Sequence, residues 1–263
     1  MGKEVAKTGG NAVANATMFD DVEDLGYGHE SASDFVIPRI AIIGDLSPQI
    51  KKNKEEYIEG CEVGDIVDVA MGSILAKQGE AFEFLPVSRV KEVIEWKPRS
   101  SGGGIASRNL LTEDMNVYAQ SVGARLNEEK FEYIMPKNGN ELIETHQIYG
   151  INLSDGRWCF IPMKKSNLKI ARKWFTRARS IKLPNGNDAP LFFQTYHYST
   201  FLDNGNGNEW YNWKISEGTK LQEHENGTEL FAEAMKLQEA VTSGEKVADM
   251  SGEEPVTVEE GAM

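Results

Sequence analysis

The chain has 263 residues, with 28 Lys and Arg against 41 Asp and Glu, a formal charge of -13 at 40% apolar content. That length suffices for a sizeable core, and no run approaches the roughly 18 apolar residues of a membrane span. The two cysteines, Cys61 and Cys159, lie far apart in apolar, strand-like contexts and read as buried thiols of a reducing cytoplasm.

Residues 1–33 are rich in Gly, Ala, Asn and acid and are expected to form a disordered arm. They show neither the apolar core of a signal peptide nor the Ser/Thr of a myristoylation signal after Gly2. An ordered domain is expected over 34–242, opening on the apolar run Val36 to Ile43. "GDIVDVAMGSIL" and "EAFEFLPVSRVKEVIEWKP" alternate apolar and polar residues as strands do. Residues 98–109, "PRSSGGGIASRN", read as a loop, followed by a short helix in "NLLTEDMNVYAQSVG". "KNGNELIETHQIYGINLSDGRWCFIPM" has the form of a β-hairpin turning at Ser154-Asp155-Gly156.

Next comes the feature that departs most from the composition. From Arg157 to Lys182 there are nine Lys and Arg and no acid, and without them the chain would carry 19 basic against 41 acidic residues. Within this stretch Leu168, Ala171, Trp174, Phe175, Ala178 and Ile181 recur at helical spacing. Lys165, Lys169, Arg172, Lys173, Arg177 and Arg179 fall largely on the other side. Like charges four residues apart repel by a few tenths of a kcal/mol. Such a face calls for an anion, whether the chain's own acidic tail or a nucleic acid; a solvated surface helix is the plainer alternative.

A second hairpin follows in "LFFQTYHYSTFLDNGNGNEWYNWKI", with aromatic residues on both strand faces. One set of rings can fill a core while the other reaches solvent, and exposed rings beside cations suit stacking of single-stranded bases. "NGTELFAEAMKLQEAV" reads as a helix, with Asn226 and Glu229 spaced as a capping box. From Glu223 to Met263 eleven acids face two lysines, and residues 243–263 read as an acidic disordered tail.

Enzyme signatures are missing from this pattern. "SSGGGIAS" lacks the Lys-Ser/Thr of a phosphate-binding loop, and neither HExxH nor GxSxG occurs. Asp65/Asp68 and Glu141/Glu144 read as strand-surface charges, and His146 beside Glu144 as a structural pair. The four histidines show no metal spacing with the cysteines. No cofactor, no metal and no catalytic residue is expected.

Several short motifs carry a resemblance. Ile37-Pro38-Arg39 with Leu46-Ser47-Pro48, Gly64-Asp65, Glu144-Thr145-His146, the Ser166 to Lys173 segment with Trp174, and Tyr211-Asn212-Trp213-Lys214 span residues 37–214. In these the chain resembles small bacteriophage proteins. Its plan is similar to the phage single-stranded-DNA-binding proteins, although such tails often end in an aromatic residue and this one ends "EEGAM". The resemblance implies a mostly β fold with a few helices, an OB-like barrel decorated by a basic helix and a C-terminal helix. It also implies non-catalytic coating of single-stranded DNA in phage replication or recombination. The tail would serve for autoinhibition or for recruiting replication or recombination proteins, and a homo-oligomer is compatible with it. The residues expected at the nucleic acid are Lys164, Lys165, Lys169, Arg172, Lys173, Arg177, Arg179, Tyr196, Tyr198, Trp210 and Lys214. The alternative is a phage structural or host-takeover protein that docks its basic helix on an acidic protein surface.

Overall fold

The computed structural model describes residues 37–128, 132–205 and 207–244, so the arm expected over 1–33 and nearly all of the expected tail lie outside the described residues. The fold is mostly β with three helices among the described residues. Strands β1 (Ile40–Ile42), β2 (Ile66–Asp68) and β3 (Ser73–Ala76) form a small antiparallel sheet. The larger, eight-stranded sheet contains β4 (Ala81–Trp96), β5 (Ile105–Leu110), β6 (Arg125–Asn127), β7 (Glu132–Ile134), β8 (Glu141–Asn152), β9 (Trp158–Lys164), β10 (Gln194–Gly205) and β11 (Asn208–Lys220). Helices α1 (Met115–Ser121), α2 (Asn167–Arg179) and α3 (Gly227–Thr242) complete it.

The order in the large sheet is β11-β10-β4-β8-β7-β6, with β5 beside β4 and β9 beside β8. This path does not close on itself, so the decorated β architecture is an open antiparallel sheet, not a closed barrel. Both expected hairpins form: β8–β9 turns at Ser154–Gly156, and β10–β11 at its Asn/Gly tip. The expected loop at 98–109 is partly strand, because β5 pairs with the end of β4 from Glu92 to Trp96.

Two layers of core lie on opposite faces of this sheet. Neighbouring residues divide between them: Phe84, Ile148, Ile161 and Tyr198 face α2, while Leu85, Tyr149 and Phe160 face α3. Ala171, Trp174 and Ala178 are the buried stripe of α2, and Ala234 and Leu237 lie in the core from α3. The helical spacing thus marked Ala171, Trp174, Phe175 and Ala178 correctly, whereas Ile170, outside the expected set, packs on the core and Leu168 and Ile181 are only half-buried. The N-terminus of α3 differs from the expected capping box, since the Asn226 side chain makes no cap hydrogen bond.

The long strand β4 contains an irregularity that decides which side chains meet α2. Between Pro86 and Ser88 its register against β8 shifts, as happens where a proline cannot donate to the ladder. Opposite, Gly150 leaves room: a Cβ there would collide with the Leu85 carbonyl oxygen and the Phe84 ring. Leu85 and Val87 face α3, but beyond the bulge Arg89 pairs with Ile148 and Lys91 with His146, on the α2 face. One extra residue has moved two cations across the sheet.

Asp65 and Asp68 are corrected by the fold. Both are buried, not strand-surface charges. Asp65 accepts from the Glu62 and Gln78 amides and from Lys77 Nζ at 2.9 Å, and Asp68 accepts from the Met71 amide, so they brace turns. Cys61 and Cys159 are free buried thiols, as the sequence suggests.

Candidate nucleic-acid interface

Helix α2 is built to hold its cations outward. Trp174 meets Tyr196 edge-on, with ring centroids 5.4 Å apart, and Tyr198 at 6.3 Å. This aromatic packing fixes the helix's rotation, so Lys169, Arg172, Lys173, Arg177 and Arg179 are all exposed. Arg177 and Arg179 sit in the last turn, where the helix dipole favours positive charge. No such reason exists for Lys169 and Lys173. Among the described residues Arg172 alone of these five has a carboxylate partner, Glu144 Oε2 at 2.7 Å.

The other expected site residues divide in instructive ways. Lys165, in a left-handed conformation before the helix, is bound to Glu132 Oε1 at 2.8 Å and lies 3.8 Å from Glu141. Lys164 points to the face opposite α2, its Nζ 5.0 Å from the centroid of the Trp96 ring. Tyr196 and Tyr198, 3% and 0% exposed, are core residues under α2 and cannot stack on bases. That corrects their expected role. The reason is the helix itself, whose Trp174 covers the strand face that alternation left unassigned. Trp210 and Lys214 share the other face of the hairpin with Phe201, Trp210 half-buried and Lys214 exposed, so neither stands beside α2.

What the sequence reading missed lies in a hollow of about 300 Å³ on the sheet face between α1 and α2. Its walls include Arg89, Lys91, Glu144, His146 and Arg172. The Arg89 guanidinium lies 3.6 Å above the Phe175 ring of α2, and burial, opposed by the Glu144 charge and aided by Arg179 and Arg172, lowers its proton affinity. Arg89 and Lys91 have no carboxylate within 4 Å among the described residues. The detectable signal was a pair of cations two apart in a strand, but only the bulge places them here.

Glu144 organises the floor of that hollow. Its Oε1 lies 2.8 Å from His146 Nε2, and since an ionised carboxylate only accepts, Nε2 carries the proton. The His146 hydrogen bond, opposed by burial and aided by Arg172, holds the Glu144 carboxyl down to about 2. His146 is 2% exposed, and its Nδ1 is buried without a partner. Leaving such an atom unpaired costs on the order of 1–3 kcal/mol.

The chain matches the model of the Pam3 phage gp34-like protein family over residues 7–247. It belongs to that family. The match covers every described residue, so the α2 face and the hollow lie in the body shared with this phage family. No curated protein and no solved structure matches the chain. Among the described residues no group of three or more His, Cys, Asp or Glu could hold a metal ion, and no helix is long and apolar enough to cross a membrane.

Proposed function

We propose that this phage protein binds single-stranded DNA without catalysis, laying the phosphate backbone along the outer face of α2. One observation carries the reading: Lys169, Lys173, Arg177 and Arg179 stand exposed on one helix with no carboxylate within 4 Å among the described residues. A chain of charge -13 keeps an unneutralised positive face, and each phosphate contact releases counterions. With Tyr196 and Tyr198 buried under the helix, recognition is chiefly ionic. In this reading the protein acts in replication or recombination in the host cytoplasm, and its acidic tail recruits proteins of those processes.

The burial of those two tyrosines also favours a second reading, in which the same face docks on an acidic protein surface. Fluorescence anisotropy with a labelled oligonucleotide of roughly 20 thymidines and the matching duplex, from about 50 to 200 mM salt, separates the two. Binding to the single strand that exceeds duplex binding and falls steeply with salt is expected. Absence of binding to either strand form at the lowest salt would leave the protein-docking reading.

A further inference from the structure

Arg89 is the least accounted-for charge in the hollow. It is half-buried, its guanidinium lies on the Phe175 ring, and no carboxylate neutralises it among the described residues. Charges withdrawn from water are ordinarily paired. Glu144 is the strongest charged neighbour, but it does not pair with Arg89, and the others are cations: Arg172 and Lys91 line the same hollow, and Arg179 adds its charge from α2.

Carboxylates do stand around the hollow, but they are differently occupied. Both Glu144 oxygens are engaged, one by His146 and one by Arg172. Asp114 caps α1 through the Asn116 amide, at 2.8 Å. Glu113 is exposed at the rim, where water screens it.

We infer that the hollow is a seat for one phosphate group, held by the Arg89 guanidinium and Lys91 and closed on the helix side by Arg172. A guanidinium offers a planar fork that matches two phosphate oxygens, and its contact with Phe175 leaves the N–H edges free to donate. The seat is continuous with the α2 face because Arg172 belongs to both. A backbone held by Lys169 and Lys173 would thus have one phosphate fixed in place and the rest held loosely. The nucleic-acid part of this inference rests on the reading above; the phosphate chemistry does not.

The test uses the full chain and two probes. Phosphorus-31 NMR follows inorganic phosphate, and anisotropy follows a thymidine oligonucleotide with and without a 5′-phosphate. The wild-type protein binds inorganic phosphate saturably, Arg89→Gln abolishes this, and Lys169→Ala with Lys173→Ala leaves it. Losing one charge-assisted bidentate contact lowers oligonucleotide affinity of Arg89→Gln about tenfold. An equal loss for both oligonucleotides assigns an internal phosphate, and a loss confined to the 5′-phosphorylated one assigns a strand end. If wild-type protein shows no saturable phosphate binding, or Arg89→Gln binds phosphate normally, the seat is wrong even if DNA binds. If phosphate binds through Arg89 but no oligonucleotide does, the seat stands and single-strand binding falls. Should Arg89→Gln not fold, Lys91→Gln and the wild-type titration decide the matter.

Discussion

Helices α2 and α3 press similar small and aromatic or aliphatic stripes onto opposite faces of one sheet, yet their solvent sides are opposites. Helix α2 carries Lys169, Arg172, Lys173, Arg177 and Arg179 and no acid. Helix α3 carries Glu229, Glu233 and Glu239 with Lys236 among them, and Glu233 is placed twice over, by Lys236 at 2.9 Å and by Trp158 Nε1 at 2.8 Å. Packing does not require the charge on α2, because α3 packs with mixed charge. The pairs 169/173 and 173/177 repel, so the basic face is a modest cost to the free protein. On α3 the Glu233 contacts serve the fold; on α2 all the cations but Arg172, which pairs with Glu144, are directed outward without a carboxylate partner among the described residues.

The comparison breaks most visibly where the stripe of α2 is removed. Trp174→Ala deletes a buried ring in edge contact with Tyr196 and Tyr198, and urea unfolding should show a loss of about 3–5 kcal/mol. Phe231→Ala on α3, where the ring is 51% exposed, should cost far less. Equal costs would mean that α2 is not the better-anchored helix.

Charge provides the next largest contrast. Lys169→Ala, Lys173→Ala and Arg177→Ala together should weaken single-strand binding on the order of a hundredfold at ~50 mM salt and lower the salt slope by about 2. The same protein should melt no lower than wild type, because repulsion has been relieved. Changing Glu229 and Glu239 to Gln on α3 should leave both readings where they were. A loss of affinity from the α3 changes would move the interface to the wrong face of the sheet.

Much of this arrangement was legible from residue spacing. The three- and four-residue steps of α2 correctly marked its inward face, and the two hairpins followed from alternation and turn residues. Alternation in "QTYHYSTF" separates two strand faces but does not say which one a helix covers, which is why Tyr196 and Tyr198 stand among the residues expected at the nucleic acid. The hollow was hidden for a different reason. A register shift at Pro86 inverts which residues face α2, and strict alternation from Leu85 puts Arg89 on the wrong side. The capping residue Asn226 had the correct spacing and no hydrogen bond, because spacing does not fix a side-chain rotamer.

Between the helices and the sheet, Glu144 sharpens the comparison through pH. Its folded pKa of about 2 lies below the ordinary 4.5, so its contribution is complete above about 4.5 and is lost as pH falls toward 2. The shift sets an upper limit of roughly 3 kcal/mol, reduced by the 58% exposure of its partner Arg172. Glu144→Gln should therefore melt below wild type at neutral pH, with the gap closing between pH 4.5 and 2. A gap that persists unchanged at pH 2 would show that the carboxylate's charge is not what holds α2 to β8.

The smallest effect concerns charge that lies past α3. Removing residues 245–263 takes away six carboxylates and Lys246, a change of +5. Stability should barely move, since this segment holds no aromatic residue and few large apolar ones with which to build a core. Affinity for single strands should rise a few-fold at low salt, because a tethered anionic segment competes for the α2 face at high effective concentration. The gain should fade as the Debye length shrinks to about 8 Å at physiological ionic strength. It should also depend on α2: in the Lys169, Lys173 and Arg177 triple variant, truncation should change nothing. If truncation raises affinity equally in that variant, the tail acts through the overall field of an acidic protein. Only a gain that disappears with the basic face would make α2 the place where the protein's own anions and its ligand's compete.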